Sequence, residues 1–148
     1  MKTKLIFCCL VLSALLSCKK EHTSTDTSSP QTVTTTNVNN SVVAGTWRVT
    51  YYFDTDHDST SRFAGYAFVF ASNGVVTATR SGDPAITGTW STGADDSQVK
   101  LVLSFSTPAS FANISDDWHV TERTDTKITL QDVSGGNGGT DYLTFEKN

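Results

Sequence analysis

The residues able to do chemistry are few and scattered. Asp54-Thr55-Asp56-His57-Asp58-Ser59-Thr60 sets carboxylates at alternate positions. Oxygen ligands at positions 1, 3 and 5 open a calcium loop. The rest departs from that pattern, with Ser59 where the sharp turn needs glycine and Gly65 where a bidentate Glu belongs. A solvated hairpin loop, its Asp and Ser bonding local backbone, is the plainer reading. Whether Asp54, Asp56 and Asp58 hold a metal stays open. His57 and His119 are the histidines of the part expected to fold, with no His-x-His or His-Glu-x-x-His spacing, so a zinc site is unsupported. Asp116-Asp117 before Trp118 is a carboxylate pair, but neighbours on a strand point to opposite faces and are not expected to converge. The glycine run 135–139 would need a strand before it and a helix after it to cradle a phosphate. Strands are expected on both sides. There is no Gly-x-Ser-x-Gly. The expectation is a protein that is not an enzyme, with no catalytic residue, no metal and no cofactor.

What must position any site is a series of short strands. Trp47, Val49, Tyr51 and Phe53 share one face of an extended chain, with Arg48 and Thr50 on the other, the period-two mark of a half-buried strand. Gly45 lets the backbone pass close to its neighbours just before the indole. Further strands are expected over about 62–71, 75–80, 85–91, 98–105, 117–124, 126–133 and 141–147. Ser72-Asn73-Gly74 predicts a two-residue type I′ hairpin. A helical turn is expected near 108–115, with Phe111 and Ile114 one turn apart and Thr107 capping before Pro108. Helix-length 3.6-residue periodicity is missing throughout. Eight strands with tight connections predict an all-β fold, an eight-stranded antiparallel meander closing into a barrel, with a β-sandwich as the alternative.

The 148 residues suggest one domain behind a leader. Lys2 and Lys4 precede an apolar run, Leu5 to Leu16, that is shorter than the roughly 20 residues a membrane span needs. Residues 1–17 read as a signal peptide. Leu15-Leu16-Ser17-Cys18 resembles the lipobox of bacterial lipoproteins, which implies cleavage before Cys18 and a lipid on its thiol. Residues 18–43, rich in Thr, Ser and Asn, read as a lipidated cysteine and flexible tether, and 44–148 as the folded domain. Cys8, Cys9 and Cys18 are the three cysteines, so the domain carries no thiol and no disulfide. Charge is mildly acidic, 11 basic against 15 acidic side chains, which argues against nucleic acid.

Gly45-Thr46-Trp47-Arg48-Val49, Gly65 to Phe70, Asn73-Gly74, Gly88-Thr89-Trp90 and Asp116-Asp117-Trp118 together resemble the lipocalin-like domains of Bacteroidetes lipoproteins. That resemblance implies a calyx-type barrel at the outer membrane of a cell envelope, held by its N-terminal lipid. A basic side chain from a late strand, Arg123 or Lys147, would pack over Trp47. It also implies a small apolar ligand, with Trp47, Tyr51, Phe68, Phe70, Trp90, Leu101, Leu103 and Trp118 as the candidate interior binding residues. Many large inward side chains could instead fill the barrel, leaving a protein- or glycan-interaction module to which an exposed Tyr52 would contribute. Loops 54–61, 92–97 and 134–140 are expected to carry specificity. The expected state is a monomer.

Overall fold

The computed structural model describes residues 30–133 and 139–148. Nine antiparallel strands follow one another: β1 (Thr46–Asp54), β2 (His57–Asp58), β3 (Ala67–Phe70), β4 (Val75–Thr79), β5 (Ile86–Asp95), β6 (Gln98–Ser104), β7 (Asp117–Arg123), β8 (Lys127–Val133) and β9 (Thr140–Lys147). Each of β3 to β8 pairs with the next, and β1 pairs with both β3 and β9, so eight strands close into a meander barrel. The two-residue β2 is an extra, paired to the end of β1. This is the all-β, eight-stranded antiparallel meander barrel that the alternation predicts. Closure leaves no long open edge for another chain to pair with.

Strand β1 departs from strict alternation. Its register against β9 slips between Val49 and Tyr51. A bulge spends one extra residue and turns every later side chain to the opposite face. Trp47 and Val49 point inward as expected, but Tyr52 is buried while Tyr51 is 41% exposed. Tyr51 is therefore an outer residue, and Tyr52 is not an exposed aromatic but part of the core.

Part of the stretch 18–43, expected to be a flexible tether, is folded. Thr35–Val42 forms a helix, α1, capped by the Thr34 hydroxyl, which accepts from the Asn37 amide at 3.1 Å. Val38 and Val42, two of the few apolar residues in a polar stretch, are both buried. Docking rather than propensity holds this helix, since Asn and Thr are poor helix formers.

Two turns exchange roles. Asn73 keeps a negative φ and only Gly74 is left-handed, at +83°. With the Ala71–Gly74 and Ala71–Val75 backbone bonds this makes a three-residue connection rather than a type I′ turn. The turn with two positive φ angles is Asp96-Ser97, at +47° and +65°. β5 thus runs on to Asp95, through the expected 92–97 loop. The helical turn near Pro108 is α2 (Ala109–Ala112), and Pro108, not Thr107, occupies its cap position. A 3₁₀ turn, Thr60–Phe63, stands where the second strand was expected to begin.

Candidate binding sites inside and outside the barrel

Of the candidate interior residues, Trp47, Phe68, Phe70, Trp90, Leu101, Leu103 and Trp118 lie in one continuous core, none more than 8% exposed. Tyr51 does not join them. Most of the rings meet edge-on, with Phe68 stacked on Phe111 at 29°. Phe111 on α2 lies 5.1–5.8 Å, centroid to centroid, from Phe63, Tyr66, Phe68 and Phe105. Phe145 on β9 touches Phe68 and Phe70 in the same way. Edge-to-face contacts at such spacings are favourable beyond the area they bury.

The polar handles of these rings are spent within the protein. Trp47 Nε1 donates to the Val42 carbonyl at 2.9 Å, Trp90 Nε1 to Ala71 at 2.9 Å, and Trp118 Nε1 to Ile114 at 3.0 Å. The Tyr52 hydroxyl donates to the Asn113 carbonyl at 3.0 Å. A buried donor that already has its partner gives an incoming molecule nothing to gain. Burial, followed by the charges of Asp54 and Asp141, holds the Tyr52 phenol well above its ordinary range.

Both ends carry a cover. At the end where β1 begins, α1 packs on β5 and β6. Arg123, 6% exposed, fastens it there. Its guanidinium donates to Gln31 Oε1 at 3.0 and 2.6 Å, to Ser41 Oγ at 3.1 Å and to the Asn37 carbonyl at 3.4 Å. Lys147, from the last strand, places Nζ 5.2 Å from the Trp47 ring centre. Of the two late basic residues, Lys147 covers the tryptophan and Arg123 holds the helix. At the opposite end, α2 and the 3₁₀ turn bring in Phe111, Ile114 and Phe63, all buried.

The outside offers shallow features. A cleft of about 330 Å³ is lined by Tyr66, Asp83, Pro84, Ile86, Thr107 and Pro108. A second, of about 410 Å³, lies between Val33, the Asp96-Ser97 hairpin and β7. On the outer face of β1 and β9, Tyr51 and Phe53 run parallel, 6.4 Å apart with 17° between their planes, and Tyr142 lies 6.5 Å beyond Phe53.

Carboxylates gather at the α2 end. Asp54, Asp116, Asp132 and Asp141 each stand two positions beyond an inward-facing residue of the core: Tyr52, Trp118, Leu130 and Leu143. Asp132 and Asp141 are direct cross-strand partners. Asp116 and Asp117 do converge, with Asp132, to within 4.8 Å. Asp116 precedes the strand and bends to accept from the Asp117 amide at 2.8 Å, so strand alternation does not apply to it. Burial, with Asp132 and Asp117 nearby, holds the Asp116 carboxyl above the usual carboxylate range. The calcium-like loop goes another way. Asp56 pairs with His57 at 2.6 Å and Asp58 accepts from the Thr60 amide at 2.8 Å. Among the described residues, Asp54, Asp56 and Asp58 do not form a metal-sized cluster.

No family model matches the chain, and no curated protein matches it. Among solved structures, a DUF4847 family protein from Bacteroides vulgatus ATCC 8482 is similar. It is 15% identical, with a TM-score of 0.49, over 75% of this chain and 97% of that one.

Sequence reasoning missed Tyr52, Phe63 and the docked Val38 and Val42. The Phe111–Ile114 spacing did signal a packed turn. Nothing local marks the bulge that moves Tyr51 outside. Cys18 and most of the glycine run lie outside the described residues.

Proposed function

We propose that this protein is a lipid-anchored component of a bacterial cell envelope, held at the outer membrane through Cys18. In this reading it is a monomeric, non-catalytic interaction module whose barrel is filled by its own side chains. The observation that carries it is the interior. Its rings pack on one another, their donors are bonded to main-chain carbonyls, and α1 and α2 cover the two ends. That supports binding on the outside of the barrel over a small apolar ligand in a calyx.

Native mass spectrometry with organic extraction, on protein from its own host, tests the filled interior. The expected result is the mass of the chain plus its lipid. A stoichiometric apolar molecule removed only on unfolding would overturn it. Fractionation tests the anchor: Cys18→Ser is expected to leave the membrane fraction, and its retention there would reject the lipobox.

One observation favours a second reading. The cleft lined by Pro84, Pro108, Tyr66 and Ile86 is mainly apolar. A small apolar ligand would be accommodated there rather than among the core tryptophans. An Ile86→Asp change would then abolish its binding without emptying the barrel.

A further inference from the structure

The outer face of β1, β9 and β8 borders an acidic rim. It is an aromatic face: of the five large hydrophobic residues exposed among the described residues, Tyr51, Tyr142 (37%) and Val133 (57%) all lie here. Their register makes them neighbours, with Phe53 opposite Tyr142 and Gln131 opposite Tyr142 on the other side. The strip is thus three rings across two strands, edged by an amide and a valine. Exposed apolar surface gathered on one face, rather than scattered, marks a contact site.

Beside the strip, on the barrel rim at the α2 end, there is charge. Asp54, Asp141 and Asp132 stand near the ends of the three strands, on the inward-facing side of the rim, and Asp116 immediately precedes β7. Among the described residues no cation lies within ion-pair distance of any of the four. Arg48 is taken by Glu146 at 3.3 Å, Lys127 by Glu122 at 3.1 Å, and Lys100 by Asp95 and Asp117. Arg48 and Lys127 thus sit paired at the far end of these strands, while Lys100, on β6, neutralises Asp117 beside Asp116 and Asp132. Asp132 opposite Asp141 is a like-charge pair that destabilises the sheet on its own.

From this charge complementarity we propose that the strip Tyr51–Phe53–Tyr142 docks a basic segment of another protein, rich in Lys and Arg. The proposal rests on the reading of the barrel as an interaction module. Cationic side chains lie over the ring faces and reach the carboxylates at the strand ends. Arg stacks on aromatic planes and bonds carboxylates with the same group, which suits both halves of the surface. The Asp116–Asp117–Asp132 cluster supplies field here and is not offered as a metal site.

The test uses the full chain in a zwitterionic detergent and a fluorescein-labelled nonapeptide of alternating Arg and Lys, followed by anisotropy. Micromolar binding is expected. It should weaken at least tenfold in a Tyr51→Ser, Tyr142→Ser double variant, and by a similar factor in Asp132→Asn, Asp141→Asn. It should also fall between about 0.1 and about 1 M salt, where the Debye length drops from roughly 10 to 3 Å. Val69→Ser, at an exposed valine on β3, is the control and should leave binding unchanged. Thermal melts keep the comparison to folded variants. Binding that survives loss of both tyrosines overturns the proposal, as does absence of binding. A neutral oligosaccharide that occupies the strip without salt dependence would replace the basic segment and also overturn it. Failure here with an apo interior counts against this surface alone, whereas an apolar molecule extracted from the core counts against the module reading whatever the peptide does.

Discussion

Phe111→Ala is the sharpest probe of whether the barrel is full. The side chain is 1% exposed and touches four other rings, so nearly all of it leaves solvent on folding. An aromatic side chain buries roughly 150–200 Å², which at about 25 cal/mol per Å² is about 4 kcal/mol. Alanine keeps one methyl, which lowers that figure, while the void and the lost edge-on contacts raise it. The expected loss is about 3–5 kcal/mol, read from urea unfolding at constant m-value. In a domain of this size that lowers the Tm by roughly 10–20 °C. The void is apolar and stays dry, so a benzene-sized molecule should enter it. Benzene is expected to raise the Tm of the variant and leave the wild type unmoved. A loss below about 1 kcal/mol would refute the packing argument. A wild-type Tm that rises with benzene as much as the variant's would refute the filled interior.

Three further outcomes follow from single residues. Arg123→Met removes the group that fastens α1, at an expected cost of about 1–3 kcal/mol; in hydrogen exchange the amides of residues 38–43 should lose protection ahead of the strands, and parallel loss throughout would count against a fastening role. Gly88→Ala places a methyl 2.5 Å from both the Phe105 ring and the Ser104 carbonyl, so the second Gly-Thr-Trp should lose about 1–3 kcal/mol by overpacking, and an unchanged urea midpoint would contradict that contact. The Tyr52 phenol is held above its ordinary value of 10.0, chiefly by burial and then by Asp54 and Asp141. A raised pKa gives stability that is complete below the unfolded value and lost as pH rises towards the folded one. Urea midpoints should therefore fall above about pH 10, and Tyr52→Phe should fall less; equal slopes would remove the assignment.

Most of the fold was legible because it rests on short-range rules that each strand obeys separately. Val99, Leu101 and Leu103 alternate, Leu143 and Phe145 alternate, and glycine-bearing turns separate the runs, so strand number and meander order followed from period two. Closure was legible too, since eight short antiparallel strands have few other ways to hide their edges. Residues 31–43 were misread for a physical reason. Composition averages over a window, and Val38 and Val42 are two apolar residues in a polar stretch. Their burial depends on the cover they form, on the Trp47 bond to Val42 and on Arg123, more than 80 residues away.

The candidate site was less legible, and β1 shows why. Alternation is a relative rule. Once Trp47 is set inward, every later residue inherits its side until a bulge breaks the count. The sequence Val49-Thr50-Tyr51-Tyr52 carries no glycine or other local mark of that break, and two adjacent tyrosines make either register chemically acceptable. The bulge is decided across the strand, by β9, where Val49 pairs with Phe145 and Tyr51 with Thr144. It puts the Tyr52 hydroxyl against the Asn113 carbonyl and lays Tyr51 beside Phe53 outside. One extra residue thus completes the core and builds the outer aromatic strip together. That coupling gives a way to separate the two. Tyr51→Ser should leave the melting temperature nearly unchanged while removing contact on the strip, whereas Tyr52→Ser should unfold the barrel before it reports on any partner. Were Tyr51→Ser to destabilise the fold as much as Tyr52→Ser, the bulge would be misplaced and the strip would not exist.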